Sequence, residues 1–309
     1  MATRNIFYWL IVVNVIILSV GCESLRVRHG DSPPGATQEQ NEGPIESEEM
    51  TPAPAEPPAF LKKRQPRLGF VLSAGGALAY AHIGFLQELE SQKIPVHSVG
   101  GLGWGALVAA SYSREGKAHG VEWKLLKFPT EAFEKRGFFS SGRKMAEISD
   151  VEPFLKSTFT GQSVDKGAIP FACAYADLQS LRTRLSTLSL FEDRVKQCWP
   201  YPPHFQIHKV AAQPTAVDLV AQSLRAQGAE KVIYVDVITA NSVKLGEDKI
   251  TQLLWLQNKS QSFQKIDEII QIALPNQDMG GFLAGRSLIR MGQLKSKNRV
   301  RELSQKYAY

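Results

Sequence analysis

From residue 68 onward, short continuous apolar runs alternate with stretches of helical period. "LGFVL" (68–72) predicts a buried strand. The helix predicted from Ala77 to Gln92 places Leu78, His82, Phe85 and Leu89 on one face at i, i+4, i+7 and i+11. "VHSVG" (96–100) predicts the next strand, and Trp104 to Ser113 the next helix. "IPFACAYAD" (169–177) and "FQIHKV" (205–210) read as further strands. Val217, Val220, Ala221 and Leu224 then mark a helix ended by Gly228, and "KVIYVDV" (231–237) is apolar throughout, as parallel strands covered on both faces are. After residue 248 the chain is mostly helical, with "IIQIAL" (269–274) as a last strand. Strand, turn and helix in repetition predict βαβ units, hence an α/β protein with a three-layer α/β/α sandwich and a mostly parallel central sheet.

The chain before residue 66 does not share this rhythm. Residues 1–21 carry one cation (Arg4), an apolar run from Ile6 to Leu18 and small residues before Cys22. The run is short for a membrane span and has the anatomy of a secretory signal peptide. The tail Ser19-Val20-Gly21-Cys22 resembles the lipobox of bacterial lipoproteins, in which the Cys becomes the lipidated N-terminus. An uncleaved anchor is the alternative, and either arrangement attaches the protein to a membrane. Residues 22–65 follow as an acidic, Pro-rich tether whose composition cannot bury enough apolar surface to fold. The folded part is expected over 66–309, with a core to 240 and a helical portion over 241–309. The expected location is the bacterial cell envelope, facing the periplasm or the cell surface.

Charge changes the picture once the tether is set aside. Residues 60–309 hold 33 basic and 22 acidic residues, a net +11. That suits a domain held near anionic headgroups. Nucleic acid is not expected as a partner, because no zinc-finger spacing or aromatic-basic interleaving accompanies the charge. Of the three cysteines, Cys173 sits in an apolar run and Cys198 after a predicted helix; their pairing stays open at this level. No metal-ligand spacing is present, and no cofactor is implied.

Two Gly-rich turns fall where strands end and helices begin: "SAGGALAY" (73–80) and "GGLGWG" (100–105). Neither has G-x-G-x-x-G or a P-loop Gly-Lys-Ser/Thr, so dinucleotide and nucleotide triphosphate binding are poorly supported. The nucleophile elbow, G-x-S-x-G on a strand-to-helix turn, is the better comparison. Residues 101–105 read Gly-Leu-Gly-Trp-Gly, with Gly103 at the nucleophile's position.

In order and spacing, "RLGFVLSAGGALAYAHIGFLQELESQKIPVHSVGGLGWGALVAA" resembles the patatin-like phospholipases. "IPFACAYADL", "QCWPYPPHF", "LRAQGAEKVIYVDV" and "ALPNQDMGGF…SLIRMG" are similar to later segments of that family, so the resemblance covers roughly 66–309. It implies a Ser–Asp dyad acting on lipid acyl esters, with the first Gly-rich loop as oxyanion hole. Carried over residue by residue, no catalytic residue is intact. The nucleophile position is Gly103, which cannot form an acyl-enzyme. The dyad Asp falls within His208 to Ala212, around His208, where no carboxylate stands; Asp218 is the nearest and reads as a surface residue. Gly75, Gly76 and Ala77 remain as the oxyanion-loop remnant, while Ala74, Leu78 and Ala79 replace the family's first Gly, its Arg and its last Gly. His82 matches the structural His of "AHIG", and His204 and His208 lack a nucleophile to serve.

Leu78, Leu102 and Trp104 make the former site apolar, which suits an acyl chain or a filled pocket. The expectation is a membrane-anchored pseudoenzyme that holds a lipid, acyl chain or protein partner without cleaving it. The competing expectation is an active lipid acyl hydrolase with a displaced nucleophile, Ser73 or Cys198.

Overall fold

The computed structural model describes residues 64–134, 145–201, 204–238, 263–277 and 279–309. The expected signal peptide, Cys22 and nearly all of the tether lie outside the described residues, as does 239–262. No helix among the described residues is long and apolar enough to cross a membrane.

A seven-stranded sheet forms the middle layer. Its strands are β1 (Leu68–Leu72), β2 (Ser98–Gly101), β3 (Phe171–Asp177), β4 (Arg182–Leu185), β5 (Val210–Ala212), β6 (Lys231–Asp236) and β7 (Glu268–Gln271). The order is β4-β3-β2-β1-β6-β7, with β5 also paired to β3. The β2, β1, β6 and β7 pairings and β2–β3 are parallel, while β4 and β5 run antiparallel to β3. Among the described residues the α-helices are α1 (Tyr80–Ser91), α2 (Trp104–Glu115), α3 (Ala118–Leu125), α4 (Glu131–Glu134), α5 (Glu152–Phe159), α6 (Phe191–Cys198), α7 (Val217–Ala226) and α8 (Gly285–Tyr307).

Every residue of β1 is buried, as its unbroken apolar run predicts. Two cores follow. The larger includes Phe70, Leu72, Phe85, Leu107 and Val121, and the smaller includes Val71, Ala174, Val220 and Tyr234. Phe70 and Leu72 join one core and Val71 the other, the alternation that a strand imposes on its side chains. Two glycines let α1 and α8 touch backbone to backbone: a methyl group on Gly84 would lie 2.0 Å from the Ile289 carbonyl oxygen, and one on Gly292 2.1 Å from that of Ala81.

The structure moves one expected element and adds another. "FQIHKV" is not a strand: Phe205 makes only an isolated bridge to Ala146, and the strand proper is Val210–Ala212. The β3–β4 hairpin has polar, exposed Arg182–Arg184 and therefore no apolar run to announce β4. Cys173 on β3 and Cys198 at the end of α6 form a disulfide, their Cα atoms 6.1 Å apart.

Candidate functional site: a degenerate nucleophile elbow

Parallel α/β sheets place their sites at the carboxyl ends of the strands, and both Gly-rich turns lie there, after β1 and β2. Gly103 caps α2 with φ 52° and ψ −123°, a conformation that favours glycine and is strained for any other residue. Its flanking glycines are required by crowding. A methyl group on Gly101 would sit 2.3 Å from the Gly105 carbonyl oxygen, and one on Gly105 2.4 Å from that of Ser73. The first turn of α2 thus packs directly on the end of β1. The G-x-G-x-G spacing encodes this close approach, so the elbow keeps its shape without its serine.

Around Gly103 the neighbours are small and apolar. A Cβ there would meet the Ala74 Cβ at 3.3 Å and the Ala212 Cβ at 3.6 Å. Ala212, at the end of β5, is therefore the residue of the 208–212 segment that faces the elbow. His208 does not: its side chain is largely exposed and contacts the Glu147 carboxylate at 2.9 Å. Within the expected His208–Ala212 segment, β5 begins only at Val210 and brings Ala212, not His208, to the elbow. Asp218 lies away from the elbow, on α7, where its carboxylate accepts hydrogen bonds from the backbone N–H groups of Gln264 and Lys265.

The oxyanion-loop remnant is occupied by the protein itself. The Ala77 N–H donates to the Met279 carbonyl at 2.7 Å, and the Leu78 N–H to Gly75 at 3.0 Å. Gly76 has φ 57°, and a Cβ there would lie 2.3 Å from the Met279 oxygen and 2.8 Å from His204 Cε1. A segment far downstream in the sequence thus closes over the loop.

Trp104, next to Gly103, centres an aromatic cluster. Its ring centroid lies 4.5 Å from Phe282, 4.9 Å from Trp199, 5.3 Å from Phe128, 5.7 Å from Phe133 and 5.8 Å from His204. The cavity beside it, lined by Gly76, Tyr80, Trp104, Leu107 and Phe128, measures about 10 Å³. That is about one water-sized sphere, too small for an acyl chain. Leu78 and Trp104 are buried in this larger core. Leu102, expected beside them, belongs to the core on the opposite face of the sheet, with Val71, Ala174 and Val220.

The displaced-nucleophile candidates also have defined places. Cys198 is in the disulfide and presents no thiol. Ser73 is fully buried, and its Oγ accepts a hydrogen bond from the Val237 N–H at 3.1 Å. His82 Nε2 lies 3.0 Å from the Ser73 carbonyl oxygen and 3.4 Å from its Oγ. The shorter contact makes Nε2 a donor to the backbone, which leaves no lone pair there to take the hydroxyl proton. Burial pushes the His82 imidazole down to about 4, opposed by that backbone bond. Ser98 is fully buried in β2. No group of three or more His, Cys, Asp or Glu able to hold a metal occurs among the described residues.

Met279 and Phe282 were not singled out by sequence reasoning, and Ala74 and Ala212 were named only as positions where a family residue is missing. Alanines carry no chemical signal, and the Gly280-Gly281 pair before Phe282 announces a turn without saying what it covers.

Comparison with known proteins points to one family. The family model described as "Patatin-like phospholipase" matches residues 70–243. The chain is 45% identical over 49 residues to lysophospholipase NTE1 of Cryptococcus neoformans var. neoformans serotype D, a match covering 16% of this chain and 3% of that protein. It is 34% identical over 100 residues to lysophospholipase NTE1 of Candida glabrata, covering 32% of this chain and 5% of the relative. The chain thus spans only a small fraction of the curated relatives it matches. Among solved structures, VipD from Legionella pneumophila aligns with a TM-score of 0.42 at 10% identity, over 77% of this chain and 67% of that one. With the family model covering more than half of its residues, the chain belongs to the patatin-like phospholipase family.

Proposed function

We propose that this protein is a membrane-tethered member of the family that does not cleave acyl esters, and that its filled site serves as a scaffold for a protein or lipid partner. The observation that carries this reading is the trio Gly103, Ala74 and Ala212. The nucleophile position and the position facing it both lack a functional group, and acyl transfer by a Ser–Asp dyad needs both. Two further features support it: the Met279 carbonyl already holds an oxyanion-loop N–H, and the adjacent cavity of about 10 Å³ leaves no space for a substrate tail. Of the two partner classes, the filled cavity favours a partner bound on the outside over an acyl chain bound within.

Tethering through a lipidated Cys22 is part of the same proposal. The Cys173–Cys198 bridge supports an exported protein, since disulfides persist in oxidising compartments. The net +11 of residues 60–309 supports residence near anionic headgroups. Replacing Cys22 (Cys22→Ser) is expected to make membrane attachment removable by a high-salt wash; attachment that survives the wash points to an uncleaved anchor instead.

The competing reading, hydrolysis through Ser73, draws on the Ser73–His82 contact. A fluorophosphonate probe and a phospholipid fatty-acid-release assay on the full chain separate the two. No labelling and no release are expected. Labelling that disappears in Ser73→Ala would overturn the proposal.

A further inference from the structure

Helix α8 has three faces of different character. Its inner face buries Leu288, Ile289, Gly292, Val300 and Leu303 against the rest of the domain. One flank carries Arg299 and Lys306, both ion-paired to Glu268 of β7, with Arg299 also paired to Glu302. The outer face is different: Arg286, Arg290, Lys297 and Arg301 follow one another along it, all exposed. None of these four forms an ion pair with a carboxylate among the described residues. Between and before them stand two exposed leucines, Leu294 at 63% and Leu283 at 81%. At 100° per residue, Arg286, Arg290, Leu294, Lys297 and Arg301 fall within roughly 80° of arc, so they form one stripe along the helix. The 23-residue helix holds seven basic residues and one acidic one, and it runs about 34 Å.

A solvated helix face meant only for water needs neither clustered cations that pair with no described carboxylate nor large exposed leucines. Cations aligned with leucines at one depth are what an interfacial helix presents to a bilayer, with basic groups at the phosphates and apolar groups at the acyl boundary. The α1–α8 crossing through Gly84 and Gly292 holds α8 rigidly on the domain, so the stripe is preformed. We propose that the outer face of α8 docks the folded domain flat on an anionic phospholipid bilayer. This deepens the membrane reading above by naming the surface that meets the lipid, and it does not depend on whether Cys22 carries a lipid. The exposed leucines favour a bilayer over nucleic acid, whose phosphates offer them nothing.

The test is co-sedimentation of the full chain with two kinds of vesicle, pure phosphatidylcholine and a two-to-one mixture of phosphatidylcholine and phosphatidylglycerol. Any attachment through residues 1–22 contributes to both, so the ratio of the two partition coefficients reports α8. The wild type is expected to prefer the anionic vesicles, and the fourfold variant Arg286→Gln/Arg290→Gln/Lys297→Gln/Arg301→Gln to lose roughly tenfold or more of that preference. Leu283→Ser/Leu294→Ser is expected to weaken binding to anionic vesicles severalfold while leaving its salt dependence unchanged. All six positions are exposed, and circular dichroism checks that both variants fold. An anionic preference unchanged in the fourfold variant overturns the proposal. So does a result in which that variant loses binding to a short DNA duplex but not to vesicles, which would assign the stripe to nucleic acid. Release of Cys22→Ser from membranes by a high-salt wash bears on the anchor alone.

Discussion

The two Gly-rich turns at the carboxyl edge of the sheet depart from a catalytic arrangement in different ways. The turn after β2 retains the whole backbone of an elbow, and only a side chain is missing at Gly103. The turn after β1 still has N–H groups that could face an oxyanion, but Met279 occupies the Ala77 donor and Phe282 fills the space beyond. The first is a local matter, settled by glycines that alternate within one turn. The second depends on a segment that the chain supplies only after the whole sheet has been laid down. One turn thus differs by an absent side chain and the other by an added cover, and the two differences would need different repairs.

The sharpest way to test the local half is Gly105→Val. Its new side chain would meet the backbone oxygens of Ser73 and Leu72 at 2.4 and 2.5 Å, neither of which can yield without moving β1. Destabilisation of about 4 kcal/mol or more is expected from urea unfolding, in the range reserved for severe core disruption. A tolerant protein would show that the elbow is not held by this contact.

The cover is tested by Phe282→Ala. Removing a ring packed on Trp104 and Phe133 should cost about 3 kcal/mol. Hydrogen exchange at the Ala77 amide should accelerate more than exchange in β1, because the Met279 carbonyl loses its backing. Equal acceleration in both would mean that the closing segment is not a separate element.

His82 links the first turn to α1 and makes stability depend on pH. Its folded value lies near 4, below the ordinary 6.5, so acid protonates the unfolded chain first. Its contribution is complete above about pH 6.5, declines as the pH falls, and is lost by about pH 4, a total of roughly 3 kcal/mol. Unfolding midpoints at pH 7 and pH 4.5 should differ accordingly, and His82→Gln should narrow the difference. An unchanged pH dependence in that variant would assign the effect to other groups.

The smallest effect is expected at the elbow's apex. Gly103→Ser presses on the Ala74 Cβ at 3.3 Å, which must give by a few tenths of an ångström, and also costs about 1–2 kcal/mol for a side chain at φ 52°. It should produce no ester hydrolysis, since Ala212 offers no carboxylate and the oxyanion donor is taken. Robust hydrolysis by this single variant would show that a dyad partner exists elsewhere.

Much of this arrangement was legible from the chain. The runs at 68–72 and 231–237 match β1 and β6 closely, because strands buried on both faces must be apolar throughout. The elbow was legible because its glycines are demanded by backbone clashes that hold in any such turn. Leu102 was misplaced among the pocket residues because adjacency in sequence says little about which face of a sheet a side chain meets. The Cys173–Cys198 pairing remained open for a similar reason, since only the packing of α6 against β3 brings the two together.

By itself, then, the sequence determined the α/β plan, the position of the elbow and the absence of a serine from it, since these depend on residue type and short-range spacing. Tertiary structure alone decided that Ala212 is the residue facing Gly103, that the Met279 carbonyl closes the neighbouring loop, and that Arg299 and Lys306 of α8 pair with Glu268 while its outer cations meet no carboxylate among the described residues. Each is a meeting of segments distant in sequence, and no local pattern records where a chain will cross itself.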